Sequence, residues 1–371
     1  MIADNRAAAS AGISVGPNGD RTIGADRARS LTKAAFTEAG VPVAEAEQVA
    51  DALVDTSLRG IDTHGLRLLP QYLDELATGV AKATARPTVV RDQGAGLLMD
   101  ADGALGVLAG LSAAGLAAER ARKFGVAAVG MRNSNHFGAA SVYTRRLARQ
   151  GLVGIAVTSA ASRVAPYGGV EPLFGTNPIS VAAGSEGEEF ALDMATSQVC
   201  FGEVKQRSAQ GRRLDEGWVT DHSGQATQDP DAAYALSPLG GYKGQGLAMA
   251  VTLLGAVLTG TAPDWQLAQV GEGDRGHSRG VGHLVLAIDP AAFAGEEQFT
   301  AGLADLLTTV RTAKPAAAKP VLAPGDPQRA YERTRGVRGI PLDARTADVL
   351  VELAGRLGAA GPTATSEEGS A

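Results

Sequence analysis

Residues 126–138 read VAAVGMRNSNHFG. Val126–Met131 is an apolar run of strand length, and Ala139–Gln150 after it reads as a helix. Between them lies a polar loop, Asn133-Ser134-Asn135-His136. A strand, a polar loop and a helix form the repeating unit of α/β proteins, and the loop beyond a strand end is where such proteins place their chemistry. The pattern continues outward. Leu152–Thr158, Pro178–Ala183, Phe190–Met194 and Val281–Ile288 read as further short strands, and Ala104–Phe124 and Gly244–Gly260 as apolar helices.

Toward both ends the period changes to helical. Asp26 is placed to N-cap a helix through Thr37 that stops at Gly40. Val43–Leu58 is amphipathic and closes at Gly60, and Leu66–Ala77 is followed by Gly79. Leu342–Leu357 is helical again, after an extended Pro/Ala stretch at Lys314–Pro324. The expected organisation is a tail over 1–24, a helical domain from 25–80 with 310–358, a central α/β domain over 81–309 and a second tail over 359–371.

Composition narrows the function classes. The chain has 371 residues, 44% of them hydrophobic, and 34 Lys+Arg against 40 Asp+Glu give a net charge of −6. That balance argues against nucleic-acid binding, which needs a basic stripe to release counterions. No apolar run approaches the roughly 20 residues that span a bilayer, so no membrane association is expected. Residues 1–24 lack a cationic segment followed by an apolar one, so no secretory signal is read there and the expected compartment is the cytoplasm. The lone Cys200, between Val199 and Phe201, reads as a buried inert thiol. Five histidines with no H-x-x-x-H pair predict no metal site. His283 alternates with Val281 and Val285 on a strand and reads as structural, whereas His222 and His277 read as solvated.

No G-x-G-x-x-G follows a strand, and there is no P-loop and no G-x-S-x-G elbow. Instead six segments occur in order: Arg59-Gly-Ile-Asp-Thr-His-Gly65, Asn133-Ser-Asn-His-Phe-Gly138, Val164-Ala-Pro-Tyr-Gly-Gly169, Gly175-Thr-Asn-Pro178, Asp193-Met-Ala-Thr196 and Gly241-Tyr-Lys-Gly-Gln-Gly246. Together they resemble the malate/L-lactate dehydrogenase family of NAD(P)-dependent oxidoreductases, from about Asp26 to Leu357. The resemblance implies an α/β (α+β) fold with a non-Rossmann nicotinamide-binding central domain and mixed sheet, a homodimer, NAD or NADP as cofactor and a small carboxylate as substrate.

The resemblance also assigns roles. Reducing a carbonyl by hydride requires an acid for the developing alkoxide and a clamp for the substrate carboxylate. Either His64 or His136 is the acid/base, since imidazole titrates near neutrality. Thr63, Arg67, Tyr72, Thr176 and Lys243 are implied on the substrate side. Asp193, Met194, Ala195, Lys243, Gly325 and Asp326 are implied at the cofactor. One departure stands out: many relatives have an arginine where this chain has Leu68. Arg67 is adjacent but points about 100° away on a regular helix, so it replaces that arginine only if the helix begins irregularly. Glu203 and Ala161-Ser162 also depart from the common pattern. The implied reaction is hydride transfer to or from C2 of a 2-keto or 2-hydroxy acid, with reduction of a cyclic imine carboxylate as the alternative.

Overall fold

The computed structural model describes residues 8–184, 189–269 and 276–359. Two compact units result, one from the chain up to Asp74 and from Ala330 onward, the other from Glu75–Arg329. Both divisions fall inside helices, where composition does not change.

The unit built from both ends begins with strands β1 (Ile13–Val15) and β2 (Arg21–Ile23). Residues 1–24 were expected as a tail. The described part of that stretch instead pairs with the far end of the chain, in the antiparallel order β1-β2-β13, where β13 is Ile340–Leu342. Three-residue strands carry too little alternation to be read from sequence. Residues 1–7 and 360–371, the outer parts of the expected tails, lie outside the described residues.

Helix α1 spans Ala25–Glu38, α2 Val43–Leu58 and α3 Leu69–Ala77. Asp26 is not the N-cap. Gly24 holds that position in extended conformation, and Asp26 sits in the first turn, where its charge meets the positive helix end. Helix α2 buries Val49, Ala52, Leu53 and Thr56, as its periodicity requires. The expected helix from Leu66 starts as a separate 3-10 turn, Leu66–Leu68.

The second unit is organised on a seven-stranded sheet. Its strands are β3 (Thr88–Gln93), β4 (Gly96–Asp100), β5 (Val126–Ser134), β6 (Val153–Thr158), β7 (Ile179–Ala183), β8 (Phe190–Met194) and β12 (Val281–Ile288), in the order β3-β4-β5-β12-β6-β7-β8. Only β4 and β5 run parallel; every other neighbouring pair is antiparallel. This mixed sheet is not the parallel, doubly wound arrangement of a Rossmann domain. Helices α4 (Gly106–Phe124) and α5 (Ser141–Ala148) pack on one face: Gly154 of β6 abuts Thr144 and Leu147 of α5. The opposite face meets α7 (Tyr242–Thr252) and the π-helical turn Leu253–Val257 that continues it, with Val157, Val251 and Leu284 in one cluster. Gly154 pairs with Ala287 and Val157 with Leu284, three residues away, so the two contacts lie on opposite faces.

Helix α6 (Phe201–Ala209) begins at Cys200, which is half-buried rather than buried because it occupies the N-cap position. The short strands β9 (Val219–Thr220), β10 (Ala226–Thr227) and β11 (Ala235–Leu236) form a separate small sheet. Helix α8 (Glu296–Thr312) follows the central sheet, α9 spans Asp326–Arg338 and α10 Ala344–Ala359. No helix among the described residues is long and apolar enough to cross a membrane.

Candidate active site

In the unit built from both ends, the loop Arg59–Gly65 is held by the C-terminal segment. Arg59 is buried and pairs with Glu332 at 2.9 Å. Arg335 grips both carboxylate oxygens of Asp62, at 2.5 and 2.9 Å. Such two-pronged pairs fix orientation as well as charge. The next residues carry the chemistry: Thr63 Oγ1 lies 2.9 Å from His64 Nδ1. Burial holds the His64 imidazole below its ordinary pKa, so the ring is biased to the neutral form.

The 3-10 turn after Gly65 buries Leu66 and Leu68 and leaves Arg67 exposed, with Nε 3.6 Å from Asp343 Oδ2. The helix therefore does begin irregularly at Arg67. Tyr72 on α3 is wholly buried.

In the sheet unit, the loop after β5 is built more tightly than its polarity suggests. Asn133 has φ 54, and its side chain donates to Asp100. Asn135 is wholly buried; its Nδ2 faces the carbonyls of Val80, Gly103 and Ala104, and its Oδ1 accepts from the Arg279 N–H. Helix α4 starts hard against this loop: a Cβ on Gly106 would lie 2.3 Å from the Asn135 carbonyl and 2.4 Å from that of His136. His136 is half-buried, and its Nδ1 faces the Gly138 N–H at 3.4 Å.

Helix α5 begins just beyond, and its first N–H, on Ser141, donates to Asp193 Oδ2 at 2.8 Å. Asp193 thus caps a helix from a distant strand. Burial pushes its carboxyl pKa up, opposed by the bonds from Ser141. Register places Ser180 opposite Asp193 and Ile179 opposite Met194, so the turn Gly175–Pro178 runs directly beside the end of β8. Thr196 seals this contact by donating its N–H to the Thr176 carbonyl at 2.9 Å, and its own carbonyl accepts from Leu239, just before α7. Lys243 stands exposed in the first turn of α7. One neighbourhood of this unit therefore joins the His136 loop, Asp193–Ala195, Thr176 and the start of α7.

Gly325 and Asp326 sit at the other end of β8, where the Ala191 N–H donates to the Pro324 carbonyl. Asp326 accepts from Arg311 at 3.0 and 3.1 Å, from the Ala323 N–H and from Arg329. Burial opposes its charge, but these donors hold its carboxyl below the usual range. Among the described residues there is no group of three or more His, Cys, Asp or Glu able to hold a metal.

Several supporting residues have no motif to announce them. Asp264, wholly buried, takes the Gly175 N–H, the Asn177 amide (2.6 Å) and the Thr252 hydroxyl on one oxygen, and burial raises its pKa. Arg335 lies in a charged helix without apolar periodicity. Only contact geometry reveals either.

The family model for malate/L-lactate dehydrogenase matches residues 23–351. The chain belongs to this family. It is an oxidoreductase, as its relatives are. Malate dehydrogenase of Pyrococcus abyssi is 33% identical over 91% of this chain and 95% of its own length. (2R)-3-sulfolactate dehydrogenase (NADP(+)) of Chromohalobacter salexigens is 41% identical over 74% of this chain and 83% of its own. Ureidoglycolate dehydrogenase (NAD(+)) of Escherichia coli O157:H7 is 31% identical over 86% and 92%. Among solved structures, sulfolactate dehydrogenase from Methanocaldococcus jannaschii superposes with TM-score 0.84 at 31% identity, covering 91% of this chain and 97% of that one. The Δ1-piperideine-2-carboxylate reductase from Pseudomonas syringae gives 0.80 at 30%, covering 90% and 99%.

Proposed function

We propose that this oxidoreductase moves hydride between a nicotinamide dinucleotide, NAD or NADP, and C2 of a small 2-keto or 2-hydroxy acid, with His136 moving the accompanying proton. The observation that carries the reading is the bond that the first N–H of α5 donates to Asp193. It ties the helix start that follows the His136 loop to the strand end that carries half-buried Met194 and Ala195, with Thr176 beside them, a surface suited to a flat ring. Lys243, a cation at the positive end of a helix, suits an anionic group. These residues fit the cofactor, which when bound supplies or takes the hydride.

His64 is assigned a different task. Its desolvated ring disfavours the imidazolium, so it is a poor proton store and a good neutral hydrogen-bonding partner for the substrate oxygen. His136 is left to exchange the proton. The test is absorbance at the reduced-nicotinamide band with NADH and NADPH, against a panel of 2-keto acids and cyclic imines. Oxidation with at least one compound is expected, and His136→Ala should lower kcat about 10²–10⁴-fold. Turnover of His136→Ala close to wild type removes the assignment.

A second reading has its own support. Leu68 is buried at the position where the family resemblance implies an arginine in many members, so a two-pronged carboxylate donor is missing there. Arg67 reaches toward Asp343 instead. A site without that donor serves a second carboxylate poorly, which leaves a cyclic imine monocarboxylate, the substrate type in the name of the Pseudomonas syringae reductase, as the alternative. An imine must be protonated before hydride arrives, and His136 serves that need as well. Turnover of imines and not of keto acids selects this reading.

We also assign the chain a homodimeric state, supported by an exposed apolar row on α7 and its continuation. The lone thiol supports a reducing, cytoplasmic setting.

A further inference from the structure

His283 lies on β12, the central strand of the sheet, and is wholly buried. The pairing of β12 with β5 slips just before it: Val281 faces Ser134, but His283 faces Met131. Gly282 marks the slip, and a Cβ there would lie 2.0 Å from the Gly255 carbonyl. Such bulges re-aim side chains and recur beside active sites.

Both ring nitrogens of His283 are bonded. Nδ1 meets the Thr158 hydroxyl of β6 at 2.7 Å, and Nε2 meets the Ser134 hydroxyl of β5 at 2.8 Å. The ring also stacks on Phe137, with centroids 4.4 Å apart and planes 14° from parallel. Phe137 also meets Tyr143, whose ring lies 4.6 Å away and whose hydroxyl donates to the Phe137 carbonyl. Ser134 and Phe137 flank His136 in the chain, two residues before it and one after. A core filler would need none of this: a leucine packs a central strand without polar atoms to satisfy.

We infer that His283 is a positioning residue for His136: it fixes Ser134 by hydrogen bond and Phe137 by stacking, and so presents the His136 ring in one orientation. The inference rests on the reading of His136 as the proton-transferring group. Burial pushes the His283 pKa down to about 3, partly opposed by the Asn135 carbonyl. Its ring therefore stays neutral and does not compete for the proton that His136 exchanges.

The experiment uses Ser134→Ala, which removes one bond, and His283→Phe, which keeps a ring on Phe137 and loses both bonds. Each is assayed for kcat and KM, and the histidine ring signals of each are titrated by NMR, with the His136 signal assigned through His136→Ala. We expect kcat to fall about tenfold to a hundredfold, the scale on which misplacement of a reacting group acts. KM should stay within twofold, and the His136 titration midpoint should move in both variants. A merely structural histidine would leave that midpoint where it is. If His136→Ala lowers kcat but both variants keep wild-type kcat and midpoint, the positioning role is overturned and the acid/base reading stands. If His136→Ala itself keeps turnover, both fall. Should His283→Phe fail to fold, Ser134→Ala alone decides.

Discussion

A single imidazole can be read three ways in this chain, and its surroundings decide which. His64 sits beside a threonine hydroxyl and is kept neutral by burial. His136 lies half-buried in a strand-end loop. His283, with two hydroxyl partners, is the most deeply desolvated of the five. Its pKa has a measurable consequence for stability. In the unfolded chain the ring titrates near 6.5, and in the folded chain near 3. Between these values the unfolded state binds the additional proton, so stability must fall as pH drops below about 6.5. The limiting slope is about 1.4 kcal/mol per pH unit. Urea unfolding of wild type and His283→Gln between pH 7.5 and 4 should show a steeper acid loss in wild type, by up to one proton. Parallel profiles would contradict the buried, neutral ring. Alternation along β12 was enough to mark His283 as interior, because it falls between Val281 and Val285. Its link to His136 was not legible, since Thr158, Ser134 and Phe137 come from other strands and loops.

At the scale of elements, legibility followed apolar periodicity. Val43–Leu58, Phe190–Met194 and Val281–Ile288 have the bounds the sequence predicts; the first buries one face, the last is buried almost throughout, and Phe190–Met194 is a half-buried apolar run. The hairpin of β3 and β4 was missed because all six residues of β3 are exposed at the sheet edge, leaving no alternation to detect. Helix α9 was missed for a similar reason: none of its residues is buried, and its side chains work through charge. That charge nonetheless shapes the candidate site. Arg335 binds both oxygens of Asp62, the residue just before Thr63 and His64, and the Ser57 carbonyl in the last turn of α2. Arg335→Ala leaves Asp62 without its two-pronged partner, at a cost of about 1–3 kcal/mol for a charged bond lost. Under the proposed roles it should also lower kcat/KM at least tenfold. Arg335→Lys restores the charge but not the fork, so recovery should be partial. Wild-type kcat/KM in Arg335→Ala would show that the loop holds its geometry without the clamp.

For the molecule as a whole, both chain ends contribute to one unit while residues 75–329 form the other. Helical periodicity at both termini around a strand-bearing centre is the sequence feature that suggests a division of this kind. The proposed homodimer rests on a different feature. Helix α7 buries Gly244, Ala248 and Val251, the last of them against Val157 and Leu284 of the sheet, yet α7 and the π-helical continuation expose Met249, Leu253, Val257 and Leu258 at 52%, 56%, 60% and 62%. Met249, Leu253 and Val257 recur every four residues and so form one row along the helix. A contiguous apolar row of this kind is costly to leave in water and marks an interaction surface. Under the proposed homodimer this row would serve a two-fold pair, in which the same patch is used by both subunits. Sedimentation or light scattering should therefore give a dimer for the full chain. Introducing like charges at the centre of the row, with Leu253→Glu and Val257→Glu together, should shift it to monomer while circular dichroism keeps the wild-type helix signal. A wild-type chain that is monomeric at micromolar concentration, or a double variant that remains dimeric, would remove α7 from the interface.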